Sequence, residues 1–203
     1  MRWIALIAVL AAALPGAERK PQPLFNGHDL SGWEQDTPDI WSVRDGVIVG
    51  RSPGMKHNDF LRTKKTYGDF VLRVRFRLIG GQGNAGIQFR TDTIPNSHEV
   101  SGYQADVGQE YWGCLYDESR RKRVLVKPSP GSLVGLQKDG WNQYVITARG
   151  NHITLELNGK RTVDYVEEEA GIKQSGIIAL QVHGGPPMEV QYKDIEIEEL
   201  PAK

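Results

Sequence analysis

The sequence predicts an all-β protein, an antiparallel β-sandwich of the jelly-roll kind. Three observations carry that expectation. Apolar residues alternate with polar ones at period two, helical periodicity is nearly missing, and Gly and Asn turns interrupt the chain at short intervals. Trp41-Ser42-Val43 opens a hairpin that turns at Asp45-Gly46 and returns through Val47 to Val49. Asp69 to Leu78 is the clearest strand: Phe70, Leu72, Val74, Phe76 and Leu78 point one way, and Arg73, Arg75 and Arg77 the other. Ile153 to Leu157 alternates likewise and ends at Asn158-Gly159, where both turn residues must accept positive φ, before Lys160 to Tyr165 returns. In the last strand the apolar set sits at Val190 and Tyr192, then at Ile195 and Ile197. That change of phase across Lys193-Asp194 predicts a β-bulge. About ten to twelve strands result, enough for two packed sheets.

A chain of 203 residues can bury a core of its own without disulfides, and Cys114 is its only cysteine. No activated-thiolate environment surrounds it, so a nucleophilic role is not expected. The 25 basic and 25 acidic residues cancel, which argues against nucleic acid, anionic membranes and acidic polymers as partners. Met1-Arg2, the apolar run Trp3 to Leu14 and the small residues Gly16-Ala17 have the layout of a secretory signal peptide. The run is shorter than the roughly 20 residues of a spanning helix. The expected organisation is a signal at 1–17, a leader at 18–22 and one domain over 23–203, exported to the periplasm or beyond with no membrane span after cleavage. Oligomeric state is not set by these features.

Function enters where alternation places polar groups beside core. Ile87 and Phe89 face inward, so Gln88 and Arg90 face outward with Asn84 in phase. Tyr103, Ala105 and Val107 face inward, leaving Gln104 and Asp106 on the other side. Ile178, Leu180 and Val182 do the same for Gln181 and His183. If these strands share a sheet, one face presents amides, a guanidinium, a carboxylate and an imidazole, a suitable set for sugar hydroxyls. Ordinary solvated sheet faces also carry polar residues, but more often Lys and Glu than uncharged amides. The segment Tyr111 to Arg123 adds Trp112 and Tyr116 as stacking candidates, with Glu118 and Arg121 placed to reach a rim; a charged surface loop is the plainer alternative. Gly80 to Gly83 lacks the Lys-Ser/Thr and helix of a phosphate loop. No histidine pair has metal-ligand spacing, so no metal or other cofactor is expected, although loop carboxylates and carbonyls leave room for a calcium ion.

The run Leu24-Phe25-Asn26-Gly27-His28-Asp29-Leu30-Ser31-Gly32-Trp33 resembles the opening of the 3-keto-disaccharide hydrolase domain family. Further matches follow in the family's order at Tyr67-Gly68-Asp69-Phe70, Asn84-Ala85-Gly86-Ile87-Gln88-Phe89-Arg90, Gly102-Tyr103-Gln104-Ala105-Asp106 and Leu180-Gln181-Val182-His183-Gly184. The resemblance implies a concanavalin A-like lectin/glucanase fold with carbohydrate on a concave sheet face. It also implies cleavage of glycosides or disaccharides whose ring carries a ketone at carbon 3. Many members have Gly-Tyr-Glu, an aliphatic residue and then Gln; here Gln104 and Asp106 stand in those two places, so the carboxylate has moved two residues along the same face.

A ketone at carbon 3 acidifies the proton on carbon 2, so cleavage can proceed through an enolate and needs a base, an enolate stabiliser and an acid. Asp106 is the expected base, Arg90 and His183 the stabilisers, and His183 or Glu118 the acid. Asn84, Gln88, Gln104 and Gln181 are expected to orient the sugar. A non-catalytic carbohydrate-binding domain on the same fold is the alternative, and an idle structural domain or a two-carboxylate glucanase are further rivals.

Overall fold

The computed structural model describes residues 20–201. The expected signal peptide, residues 1–17, lies outside them. Fifteen strands are present among the described residues: β1 Gln22–Pro23, β2 Trp33–Glu34, β3 Trp41–Arg44, β4 Val47–Ser52, β5 Asp59–Thr63, β6 Phe70–Leu78, β7 Asn84–Thr93, β8 Val100–Gly108, β9 Leu115–Glu118, β10 Arg123–Val126, β11 Asn142–Arg149, β12 His152–Leu157, β13 Lys160–Val166, β14 Ile177–Val182 and β15 Met188–Glu199. The number exceeds the ten to twelve expected because short pairings such as β1 and β2 have too few residues to show alternation.

Two antiparallel sheets form the expected sandwich. One runs β13-β12-β11-β6-β15-β4-β3, with β1 added to β15; the other runs β10-β9-β8-β7-β14-β5-β2. Phe70, Leu72, Val74, Phe76 and Leu78 of β6 have no exposed surface, and neither have Ile87 and Phe89 of β7 or Leu180 and Val182 of β14. These inner faces make the core, each large side chain contributing about 1.5–3 kcal/mol by leaving water. Asp45-Gly46 and Asn158-Gly159 both turn at positive φ, as the hairpins require. The bulge in β15 is also present: its register on β6 shifts between Lys193 and Glu196, and Asp194 takes φ 48°.

A second bulge was not legible from the alternation, and it corrects one site residue. The β7–β8 register shifts between Phe89 and Asp92, and Arg90 sits at φ 47°. The extra residue turns the Arg90 side chain away from the outer face. Its guanidinium donates to Gly68 O at 3.3 Å, Gly150 O at 2.5 Å and Asp69 Oδ1 at 2.8 Å, and the side chain is 1% exposed. Asp69 also accepts from Gly150 N at 2.9 Å. Arg90 therefore ties β7 to the start of β6 and to the β11–β12 turn. Arg90→Leu is expected to lower the unfolding free energy by about 3–5 kcal/mol, since Asp69 would stay buried without its cation; urea denaturation measures it.

Candidate functional site

The outer face of the seven-stranded sheet follows from register. Gln104 lies opposite Gln88 and Tyr116, Asp106 opposite Gly86, and Gly86 opposite Gln181. Asn84 and His183 sit at the ends of β7 and β14, where His183 N donates to Asn84 O at 3.3 Å. Alternation thus puts Asn84, Gln88, Gln104, Asp106, Tyr116, Glu118, Gln181 and His183 on one side.

A directed chain of hydrogen bonds runs across this face. Thr91 Oγ1 donates to Gln88 Oε1 at 3.0 Å, Gln88 Nε2 to Gln104 Oε1 at 2.7 Å, and Gln104 Nε2 to Asp106 Oδ2 at 3.2 Å. From the other side, Asn84 Nδ2 and Val107 N donate to Asp106 Oδ1 at 3.1 and 3.0 Å. The Asp106 backbone is pinned too, its carbonyl accepting from the buried Tyr144 hydroxyl at 2.6 Å. Room for the chain comes from Gly86: a β-carbon there would overlap the Gln104 amide.

A cavity of about 150 Å³ opens above, lined by Asn58, Asn84, Gln104, Asp106, Gln109, Tyr111, Tyr116, Glu118 and His183. Tyr111 and Tyr116 meet edge to face at 6.3 Å between centroids. Asp106 is 3% exposed, and burial pushes its carboxyl up to about 7 against the opposing pull of Gln104, Asn84 and Val107 N, with the charge of Glu118 adding to the rise. Glu118 is likewise raised to about 7 by burial and then by the charge of Glu99. Two carboxyls that exchange protons near neutrality, beside an exposed imidazole, can take and return protons within one small polar space. Among the described residues no group of three or more His, Cys, Asp or Glu is arranged to hold a metal ion.

The model of the 3-keto-alpha-glucoside-1,2-lyase-like domain family matches residues 20–198. The chain belongs to this family. Among solved structures, a candidate glycosyl hydrolase from Parabacteroides distasonis is similar over 89% of this chain and 94% of its own, with 20% identity and a TM-score of 0.69. A carbohydrate-binding module from Bacillus subtilis is similar over 83% of this chain and 96% of its own, with 16% identity and a TM-score of 0.65. A Bacillus licheniformis β-glucanase covers 92% of this chain over 100% of its own, with 13% identity and a TM-score of 0.61. At these identities the likeness is one of fold, which hosts both catalysts and binders. No curated protein matches the sequence.

The structure brings together Asp106, His183, Glu118, Asn84, Gln104 and Tyr116, and sets five other candidates elsewhere. Arg90 is the interior clasp already described. Trp112 is 5% exposed and stacks on Phe76 at 6.4 Å, so it belongs to the core. Arg121 is spent on carboxylates: Nη1 donates to Asp117 Oδ2 at 2.8 Å, and Nη2 to Glu167 Oε1 at 2.9 Å and Glu169 Oε2 at 2.8 Å. Asp117 pairs with the core residue Tyr103, on the opposite side of β9 from Tyr116 and Glu118.

Gln88 and Gln181 are on the expected face but fully buried. The segments preceding β5 and β8 meet across the intervening β7 and β14: His57 stacks on His98 at 3.9 Å, and Asn58 Nδ2 donates to Glu99 Oε2 at 3.0 Å. That bridge roofs the two amides, which lie beneath the cavity instead of lining it. Asn58 and Gln109 line it without having been expected, because each sits in a turn where parity has no meaning. Cys114 is buried, and burial followed by the charge of Asp106 pushes its thiol up to about 11, in keeping with an inert side chain.

The two buried glutamines differ in one respect. Gln88 is bonded on both sides, whereas among the described residues neither Gln181 Nε2 nor Gln181 Oε1 has a hydrogen-bond partner. Gln88→Leu should cost about 2 kcal/mol by orphaning its neighbours, while Gln181→Leu should be neutral or stabilising in the same urea titration. Asp106 makes stability pH-dependent with a definite sign. Its folded pKa of about 7 lies above the ordinary 3.8, so the folded state holds the proton more tightly. This contribution is fully present below the ordinary value and is lost as pH rises through 7. Asp106→Asn should therefore match the parent protein near pH 4 and exceed its Tm at pH 8.

Proposed function

We propose that this protein cleaves glycosides oxidised to a ketone at carbon 3 of the sugar, by proton abstraction and elimination. The arrangement that carries the reading is Asp106 and Glu118 facing one small polar cavity with His183 at its mouth, both carboxyls pushed up to about 7 chiefly by burial. The family to which the chain belongs supports the same class of substrate.

Ionised Asp106 takes the proton from carbon 2, and the C2–H electron pair becomes an enolate whose charge rests on the carbon 3 oxygen. Glu118, in its protonated form, donates a hydrogen bond to that oxygen, a role that Arg90 cannot fill from the interior. The ketone re-forms as the C1–O bond breaks; its electron pair leaves on the aglycone oxygen, and His183 supplies the proton. The product is a 1,2-unsaturated keto sugar, to which water adds at carbon 1 to complete hydrolysis. Asn58, Asn84 and Gln104 hold the ring hydroxyls. No oxocarbenium ion forms, so the spacing of a nucleophile and acid pair is not demanded.

A binding module on this fold would need the amides but no titrating pair, and its affinity would not depend on pH. The catalytic reading requires Asp106 ionised, which favours activity above its pKa, and Glu118 protonated, which favours activity below its own. The expected kcat/KM profile is a bell centred near pH 7. Release of aglycone from 3-keto-glucosides but not from their unoxidised parents is the test, and Asp106→Asn should lower kcat by about 10²–10⁴-fold. Full activity in both Asp106→Asn and His183→Ala would overturn it.

A further inference from the structure

Beyond the sugar cavity the surface continues as a trough. Its middle section, about 410 Å³, shares Asn84, Gln109 and His183 with the cavity, and is walled by the backbone of Gly81 to Gly83 and by Gly184. Its far end is a groove of about 820 Å³ that shares Pro187 and Met188 with the middle section. Pro38, Pro53, Met55, Ile79, Pro187 and Met188 give that groove a mainly apolar surface, while Asp39, His57 and the paired Arg51 and Glu189 stand among its polar lining. A volume of this size matches the roughly 300–1,000 Å³ of small-molecule clefts.

The lining changes along the trough, from amides and carboxyls through a glycine-rich stretch to a surface dominated by proline, isoleucine and methionine. Gly83, at φ 97°, helps shape the wall. A β-carbon there would stand 3.1 Å from Met188 Sδ, so any side chain would crowd Met188. His183 is common to the cavity and the middle section, and so stands where the sugar ends and the leaving group begins.

We propose that the Pro38–Met188 groove is an aglycone subsite, and that the substrates are glycosides of an elongated, apolar, aromatic alcohol. The inference rests on the sugar-site reading above. An apolar ring system laid between the prolines and methionines covers the larger, apolar part of the groove surface, whereas a second sugar would desolvate that surface and find partners only at its polar edge. The polar end binds the part common to all substrates, and the groove discriminates among leaving groups.

The test compares methyl 3-keto-glucoside with 2-naphthyl 3-keto-glucoside on the parent protein and on two variants at exposed groove positions. Ile79 is 38% exposed, and Pro53 is also exposed. Because each variant is referred to the parent with the same substrate, the intrinsic reactivity of the leaving group cancels. Ile79→Asp and Pro53→Asp should each lower kcat/KM for the naphthyl compound about tenfold, about 1.4 kcal/mol, and leave the methyl compound within twofold. Calorimetric titration of the unoxidised naphthyl glucoside should show the same tenfold loss of affinity. If the parent turns over both compounds and the variants affect both equally or neither, the aglycone subsite is overturned while the sugar site stands. If the parent neither cleaves nor binds either compound, the sugar-site reading falls and the groove assignment with it.

Discussion

The arrangement depends on one buried carboxyl. Asp106 takes three donors while almost wholly withdrawn from water. An ionised carboxylate only accepts, so it fixes the direction of every amide linked to it: Gln104 must present its nitrogen, Gln88 must then donate to the Gln104 oxygen, and Thr91 to the Gln88 oxygen. The polar floor of the cavity is therefore preorganised by the end of a hydrogen-bond chain. The same desolvation that makes the carboxyl costly to ionise brings its titration into the neutral range.

The scaffold around this floor is built to hold it still. Gly86 lets the Gln104 side chain lie flat across β7, and Tyr144, rising from the other sheet, holds the Asp106 carbonyl through the core. The His57–His98 stack and the Asn58–Glu99 bond close a roof over the middle strands. The roof buries the deeper amides and leaves the cavity as an opening at the ends of β7 and β14. Strands carry the two carboxyls, while His183 and the rim lie on the segments that leave them.

Much of this was legible because a β-strand shows its two faces at every second residue. Asn84, Gln104, Asp106 and His183 sit together as counting by twos requires, Tyr116 and Glu118 join them from the aromatic and charged segment, and the bulge at Lys193-Asp194 announced itself by shifting apolar residues. Arg90 was misread because its bulge lies between polar neighbours, Arg90 to Asp92, where no apolar side chain marks the change of phase. Trp112 and Arg121 fall in the turn and loop around the short β9, where aromatic and charged residues serve core and ion pairs as readily as a ligand. Gln88 and Gln181 show a further limit. Parity assigns a face, but the roof that buries that face comes from contacts between segments about 40 residues apart in sequence.

The interior placement of Arg90 and the pairing of Arg121 also keep both guanidiniums away from the small cavity. Among the described residues no lysine or arginine lines the small cavity, and its ionisable groups are the carboxyls of Asp106 and Glu118 and the imidazole of His183. A sugar bearing a uronate, sulfate or phosphate would lose hydration beside the Asp106 carboxylate with only His183 to offset the cost. Neutral rings face no such barrier. The clasp that fastens one strand to its neighbours thus also withholds a guanidinium from the space a guest would enter.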